Sequence, residues 1–255
     1  MNQIKYILGT LLALPLLPFM YFQGEKIKKE VPKLPEAIGT EGVTGNGTQQ
    51  INLLTMGEST IAGVGANEHK NSLTGALADY LANHSNYKIQ WKVNAKSGYT
   101  ASEVVENLVP NEDGFNPDII VIGLGANDAF HFNSPKIWRL GIKNLIEQLH
   151  LKFPTAPIVF LNMPPIHAFP AFTTPLRLVL GNLVNLLGDE LELISKKYGF
   201  VFYNKERITF KKWLPKIEGA TTINDVFSDG VHPSEATYQL WGRETAKFIL
   251  ENKLL

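Results

Sequence analysis

Asp118-Ile119-Ile120-Val121-Ile122 runs without interruption into Gly123, and this pattern recurs along the chain. An unbroken β-branched stretch of strand length is what a strand buried on both faces requires, so it belongs inside a sheet with cover on each side. A similar apolar run over 51–56 stops at Gly57, 88–94 alternates as a strand does, and 157–162 and 200–203 are short apolar runs. Between them the period changes from two to 3.6. Leu73, Ala76, Leu77 and Tyr80 share one face of a helix predicted over 72–83, and Trp138, Ile142, Leu145 and Leu149 form one stripe over 135–153. Leu176, Leu180, Leu183, Leu187, Leu191 and Ile194 do the same over 176–198, where Gly199 ends the helix. Thr100-Ala101-Ser102-Glu103 has capping-box spacing at the head of a helix over 100–108, and Ser234 is the expected N-cap of a closing helix over 234–252. Strands alternating with helices at this spacing predict an α/β fold: a mostly parallel sheet between two helical layers, with ligand bound at the carboxyl ends of the strands.

The first 50 residues do not follow this rhythm. No charged residue occurs from Ile7 to Phe22. Sixteen residues are short for a span, which needs about 20, and Pro15 and Pro18 interrupt it. No small-x-small cleavage site comes after it; the run leaves through aromatic residues into Lys26, Lys28 and Lys29. Residues 1–23 are therefore read as a retained membrane anchor, ahead of a cleaved signal or a buried element. Lysines on the C-terminal side of the run favour a cytoplasmic position for the domain attached to it. Residues 24–49 read as a linker and 50–255 as one domain, a size that 255 residues with 44% hydrophobic content can support. Zero net charge gives no reason to expect a nucleic-acid partner. The absence of cysteine excludes disulfides, thiolate metal sites and a thiol nucleophile. Nothing in the composition determines the oligomeric state.

Several loops at the strand ends carry polar residues suited to one chemistry. Ser59 follows Gly57-Glu58 directly after a strand; a tight turn there exposes the hydroxyl and aims helix-start N–H groups at developing negative charge. Asp229-Gly230-Val231-His232-Pro233 can fold so that the carboxylate meets one imidazole nitrogen while the other faces Ser59. Gly98 and Asn127, each in a loop after a strand, would with the Ser59 N–H supply donors to a tetrahedral oxyanion. Singly, each has an ordinary explanation: a helix-capping serine, a turn glycine, a loop asparagine, an Asp-Gly turn. A metal site is disfavoured because Asp-x-x-His has no third ligand. The weight lies in the four segments occurring together.

From about 51 to 252 the chain resembles the SGNH hydrolases, also called GDSL-type lipases and esterases. The resemblance rests on Gly57-Glu58-Ser59, Gly98, Gly125-Ala126-Asn127-Asp128 and Asp229-Gly230-Val231-His232-Pro233, in that order. It implies a flavodoxin-like three-layer α/β/α fold and ester hydrolysis with neither metal nor cofactor. Ser59 would be the nucleophile, His232 the base, Asp229 its orienter, and Gly98 and Asn127 oxyanion donors. Two positions depart from the family pattern: Glu58 stands where aspartate is usual, and Thr60 where leucine or serine is frequent.

The sequence says less about substrate. Phe130, His131 and Phe132 follow Asn127, and Ile166, His167 and Phe169 lie in the apolar, proline-stiffened stretch after the fourth strand; these six are the candidate substrate contacts. With the N-terminal segment they favour a small acyl-ester or lipid-like substrate over a sugar ester. A serine ester hydrolase is the leading reading. An acyltransferase using the same serine, and a non-catalytic binding module on the same scaffold, are the alternatives.

Overall fold

The computed structural model describes residues 1–255, apart from the side chain of Lys28. In chain order the elements are α1 (Asn2–Ala13), α2 (Leu17–Glu30), β1 (Glu41–Thr44), β2 (Gln49–Gly57), α3 (Leu73–Asn83), β3 (Tyr87–Ala95), α4 (Ala101–Asn107), β4 (Ile119–Gly123), α5 (Ala126–Phe130), α6 (Pro135–Lys152), β5 (Ile158–Phe160), α7 (Thr174–Ser195), β6 (Val201–Tyr203), α8 (Phe210–Trp213) and α9 (Glu235–Glu251). Six strands form one sheet in the order β1-β3-β2-β4-β5-β6. All pairings are parallel except β1 with β3. On one side α3 packs against α9; on the other lie α4, α6 and α7. This is the three-layer α/β/α arrangement expected from the sequence.

The strand patterns explain the layers. All four residues of Ile119–Ile122 are fully buried in β4, as a strand covered on both faces demands. Each such side chain contributes roughly 1.5–3 kcal/mol relative to exposure. The leucine stripe of α7 is buried from Leu176 to Leu191. The capping box at Thr100 forms, with the Glu103 carboxylate accepting from the Thr100 N–H at 2.8 Å, and Ser234 caps α9.

The N-terminal region holds more structure than the sequence suggested. The stretch read as a linker begins inside α2 and includes β1, an antiparallel edge strand on β3. Its Glu36 carboxylate accepts from the Ser97 N–H at 2.8 Å and from Lys96 at 3.1 Å, bracing the loop before Gly98. Such bracing by one distant side chain leaves no periodicity to read. The helix from Asn2 to Ile27, with a 3₁₀ turn at Leu14–Leu16, is long and apolar enough to cross a membrane.

Topology places the site. From β2 the chain crosses to β3 on one side and then, past β2, to β4 on the other. A crevice opens at the carboxyl edge where strand order reverses in this way. Register aligns Gly57 with Ala95 on one neighbour and with Gly123 on the other. The loops carrying Ser59, Gly98 and Asn127 therefore leave the sheet at one level.

Candidate active site

Gly57 must be glycine. Its φ is +154°, and a Cβ there would lie 2.0 Å from the Gly123 carbonyl oxygen. Without a side chain at this point the two strand ends meet, and the backbone turns directly into Glu58 and Ser59. The Glu58 N–H donates to that same Gly123 carbonyl at 3.0 Å.

Ser59, Gly98, Asn127 and His232 line one cavity of about 250 Å³. Asp229 stands behind the histidine with its side chain fully buried. Its Oδ2 meets His232 Nδ1 at 2.7 Å; its Oδ1 accepts from the backbone N–H groups of Val231 at 2.9 Å and His232 at 2.7 Å. Burial works to raise the Asp229 pKa, but the His232 ring and these N–H donors together hold it below the ordinary carboxylate value. An ionised carboxylate on Nδ1 keeps a proton there and leaves Nε2 able to act as a base. Ser59 Oγ forms no hydrogen bond among the described residues; such contacts are often long until substrate binds.

The backbone N–H groups of Ser59 and Gly98 also have no partner among the described residues, and both residues line the cavity. Gly98 has φ +91°, a conformation that disfavours any side chain. Asn127 lines the cavity too, with its side chain hydrogen-bonded to the protein. Its amide nitrogen donates to Glu58 Oε2 and, at 3.2 Å, to the Tyr99 carbonyl, so both of its hydrogens are already engaged.

Glu58 is the residue whose role the sequence did not convey. It is 2% exposed and lies under α5, where its carboxylate accepts from the Ala126 N–H at 2.8 Å, the Asn127 N–H at 2.9 Å and the Asn127 side chain. It thereby ties the turn at Ser59 to the loop that carries Asn127. Asp128 continues the chain of buried carboxylates, accepting from the Ala101 N–H at 2.9 Å and the Asn133 amide at 2.8 Å. Burial raises the pKa of both, and Glu58 reaches about 7 against the pull of its Asn127 and Ala126 donors. The acid departure at 58 was visible in the sequence, but its partners lie 68 and 69 residues away.

This shift makes a signed prediction. Folded Glu58 holds a proton between pH 4.5 and about 7 that the unfolded chain has lost. Its contribution to stability is therefore greatest below pH 4.5 and declines as pH rises through 7, by about 3 kcal/mol in total. His69 acts in the opposite sense: burial lowers its pKa to about 4, so its contribution is lost as pH falls from 6.5 towards 4. Comparing wild type with Glu58→Gln by denaturant unfolding from pH 4.5 to 8 isolates the first effect. The stability difference is expected to shift in favour of Gln as pH rises; a pH-independent difference contradicts it.

The candidate substrate residues separate. Phe130 and Phe169 line the cavity at Ser59. Phe132 lines an adjoining groove instead. His131, Ile166 and His167 do not line the cavity: Ile166 is fully buried in the core, and His167 borders a separate polar pocket with Asp189, Glu192 and Arg207. In a short 3₁₀ turn adjacent residues point different ways, so proximity in sequence to Phe169 did not carry Ile166 and His167 into the site. The apolar lining also includes Ile208, Phe210, Trp213, Val226 and Phe227, which the sequence did not single out; the Phe227 ring meets that of Phe169 edge-to-face at 5.4 Å. Phe210, Trp213 and Val226 sit on short helical pieces between β6 and α9, and Ile208 and Phe227 on the chain beside them, with no sustained period; their density of aromatics was the one available signal.

The GDSL-like lipase/acylhydrolase family model matches residues 55–240. The chain belongs to that family. The match runs from β2 into α9 and so includes all five residues of the constellation. Family membership makes this a hydrolase of the lipolytic and esterase type. Solved structures agree on the fold. The lipase Lip_vut3 from a goat rumen metagenome superposes with a TM-score of 0.58 at 17% identity, covering 77% of this chain and 96% of its own. A carbohydrate esterase family 2 enzyme with a carbohydrate-binding domain, from Corynascus thermopiles, gives 0.58 at 15% identity, covering 82% and 68%. Phospholipase A1 from Streptomyces albidoflavus gives 0.52 at 18% identity, covering 80% and 99%. Comparison with curated proteins finds no match.

Proposed function

We propose that this protein hydrolyses carboxylic esters through an acyl-enzyme on Ser59, and that its N-terminal helix associates it with a membrane. The observation that carries the reading is the Asp229–His232 pair, its 2.7 Å bond buried on the acid side, in the cavity shared with Ser59. Ser59 Oγ attacks the ester carbonyl carbon as its proton passes to His232 Nε2. The oxyanion is held by the N–H groups of Ser59 and Gly98, and Asn127 joins them by giving up its 3.2 Å bond to Tyr99. As the carbonyl re-forms, the C–O bond to the alcohol breaks and His232 returns the proton to the departing oxygen. Water then attacks the acyl group, passing a proton to His232; the bond to Oγ breaks, Ser59 recovers its proton, and a free acid leaves.

A fluorophosphonate reacts only with an activated serine. Intact-mass and peptide analysis of the full chain is expected to show one adduct, on Ser59, together with acid release from p-nitrophenyl esters. No adduct and no turnover would overturn the proposal. New ester in place of free acid, when an alcohol is added, would turn it into an acyltransferase.

A further inference from the structure

We propose that the groove between the N-terminal helix and the catalytic domain is an acyl-chain site, and that the substrate is an ester of a long-chain fatty acid. This deepens the reading of Ser59 as nucleophile and rests on it. The groove has a volume of about 720 Å³, against about 250 Å³ for the cavity at Ser59. The cavity alone lies below the usual range for ligand sites, roughly 300–1,000 Å³, and the groove lies within it. The two adjoin: Ser97, Phe130, Val231 and His232 line both. Leu17, Met20 and Ile27 form one wall of the groove, and Phe172, Leu176 and Leu180 the other. A carbonyl at Ser59 therefore has an apolar passage leading away from it, past the base, towards the helix.

The helix is held in place by polar contacts at both ends. Asn2 donates to the buried Glu190 carboxylate at 3.0 Å, Tyr6 donates to the Phe132 carbonyl at 2.8 Å, and Thr173 bonds the Gln23 side chain. Arg139 neutralises Glu190 at 2.7 Å. The opposite face of the same helix exposes Leu8, Leu11, Leu12, Phe19 and Phe22. A continuous apolar face of this kind fits a lipid surface better than water. One helix thus presents its outer side to lipid and its inner side to a groove that ends at the catalytic residues. That is the geometry needed to accept the chain of an ester from a bilayer.

Gly24 lines the groove, and a Cβ there meets no atom within 4 Å, so Gly24→Trp narrows the groove without a backbone clash. The full-length chain would be placed in nanodiscs of ether-linked phosphocholine lipid, which offer no ester. In wild type, kcat/KM for p-nitrophenyl esters is expected to rise by roughly two- to fourfold per methylene until the groove fills. In Gly24→Trp the ratio of laurate to acetate hydrolysis is expected to fall at least tenfold. A palmitate carrying a diazirine, irradiated with the wild-type chain and with Ser59→Ala, is expected to mark peptides of α2 and α7. An unchanged ratio, no gain beyond four carbons, or adducts confined to other elements would overturn the proposal. The photolabel needs no turnover: palmitate captured between α2 and α7 by a chain that cleaves no ester would support the groove and overturn the hydrolase reading instead.

Discussion

Ser59→Ala is expected to lower kcat for any ester substrate by about 10⁴-fold or more and to leave the fold intact. Under the proposed mechanism the loss is large because no other group would form the acyl-enzyme; what would remain is oxyanion binding and substrate orientation. Stability is spared for a specific reason. Ser59 Oγ has no hydrogen-bond partner among the described residues, so its removal orphans no buried donor or acceptor. The shift in unfolding free energy is expected to stay within about 0.5 kcal/mol. The assay is steady-state hydrolysis of p-nitrophenyl acetate beside thermal unfolding. Turnover by the purified variant within tenfold of wild type would remove Ser59 from the mechanism, whatever the family pattern.

Asp229→Asn tests the other half of the site, and its loss is expected to reach about 10³- to 10⁴-fold in kcat. The substitution is nearly isosteric and retains an oxygen for the Val231 and His232 N–H groups. What changes is the atom facing the ring. An amide NH₂ turned towards His232 Nδ1 makes that nitrogen an acceptor, and the imidazole proton moves to Nε2. In the proposed mechanism Nε2 takes the proton of Ser59, so the base would be blocked while the geometry stays. Fluorophosphonate labelling of Ser59 should slow in parallel with hydrolysis, because both depend on the same proton transfer. A variant that keeps labelling at the wild-type rate would show that His232 does not depend on Asp229 for its tautomer.

Much of this was legible in the sequence wherever the determining interactions are short in range or periodic. Uninterrupted β-branched runs such as 119–122 marked the strands, the leucine stripe at Leu176, Leu180, Leu183 and Leu187 marked α7, and Thr100 and Ser234 marked helix starts. A glycine directly after a buried strand marked the turn at Ser59, because only glycine tolerates the approach to Gly123. The family resemblance added roles that no single residue could have carried.

Other features depend on contacts between distant segments. Nothing local in Gly57-Glu58-Ser59 announces that Glu58 reaches across to Ala126 and Asn127. Nothing local to Asn127 reveals that its amide is already engaged at rest. Glu36, in a stretch without period, braces the Gly98 loop from 60 and 61 residues away. The apolar lining by Phe210, Trp213 and Phe227 needed the chain to fold back over the sheet edge before it formed. The N-terminal segment shows the division most clearly. Its composition marked it as an apolar segment suited to a membrane, since hydropathy is a local property. That this helix packs along the domain and encloses a groove leading to His232 was decided by tertiary structure, because it depends on partners such as Glu190, Phe132 and Thr173 that only the completed fold brings within hydrogen-bonding reach.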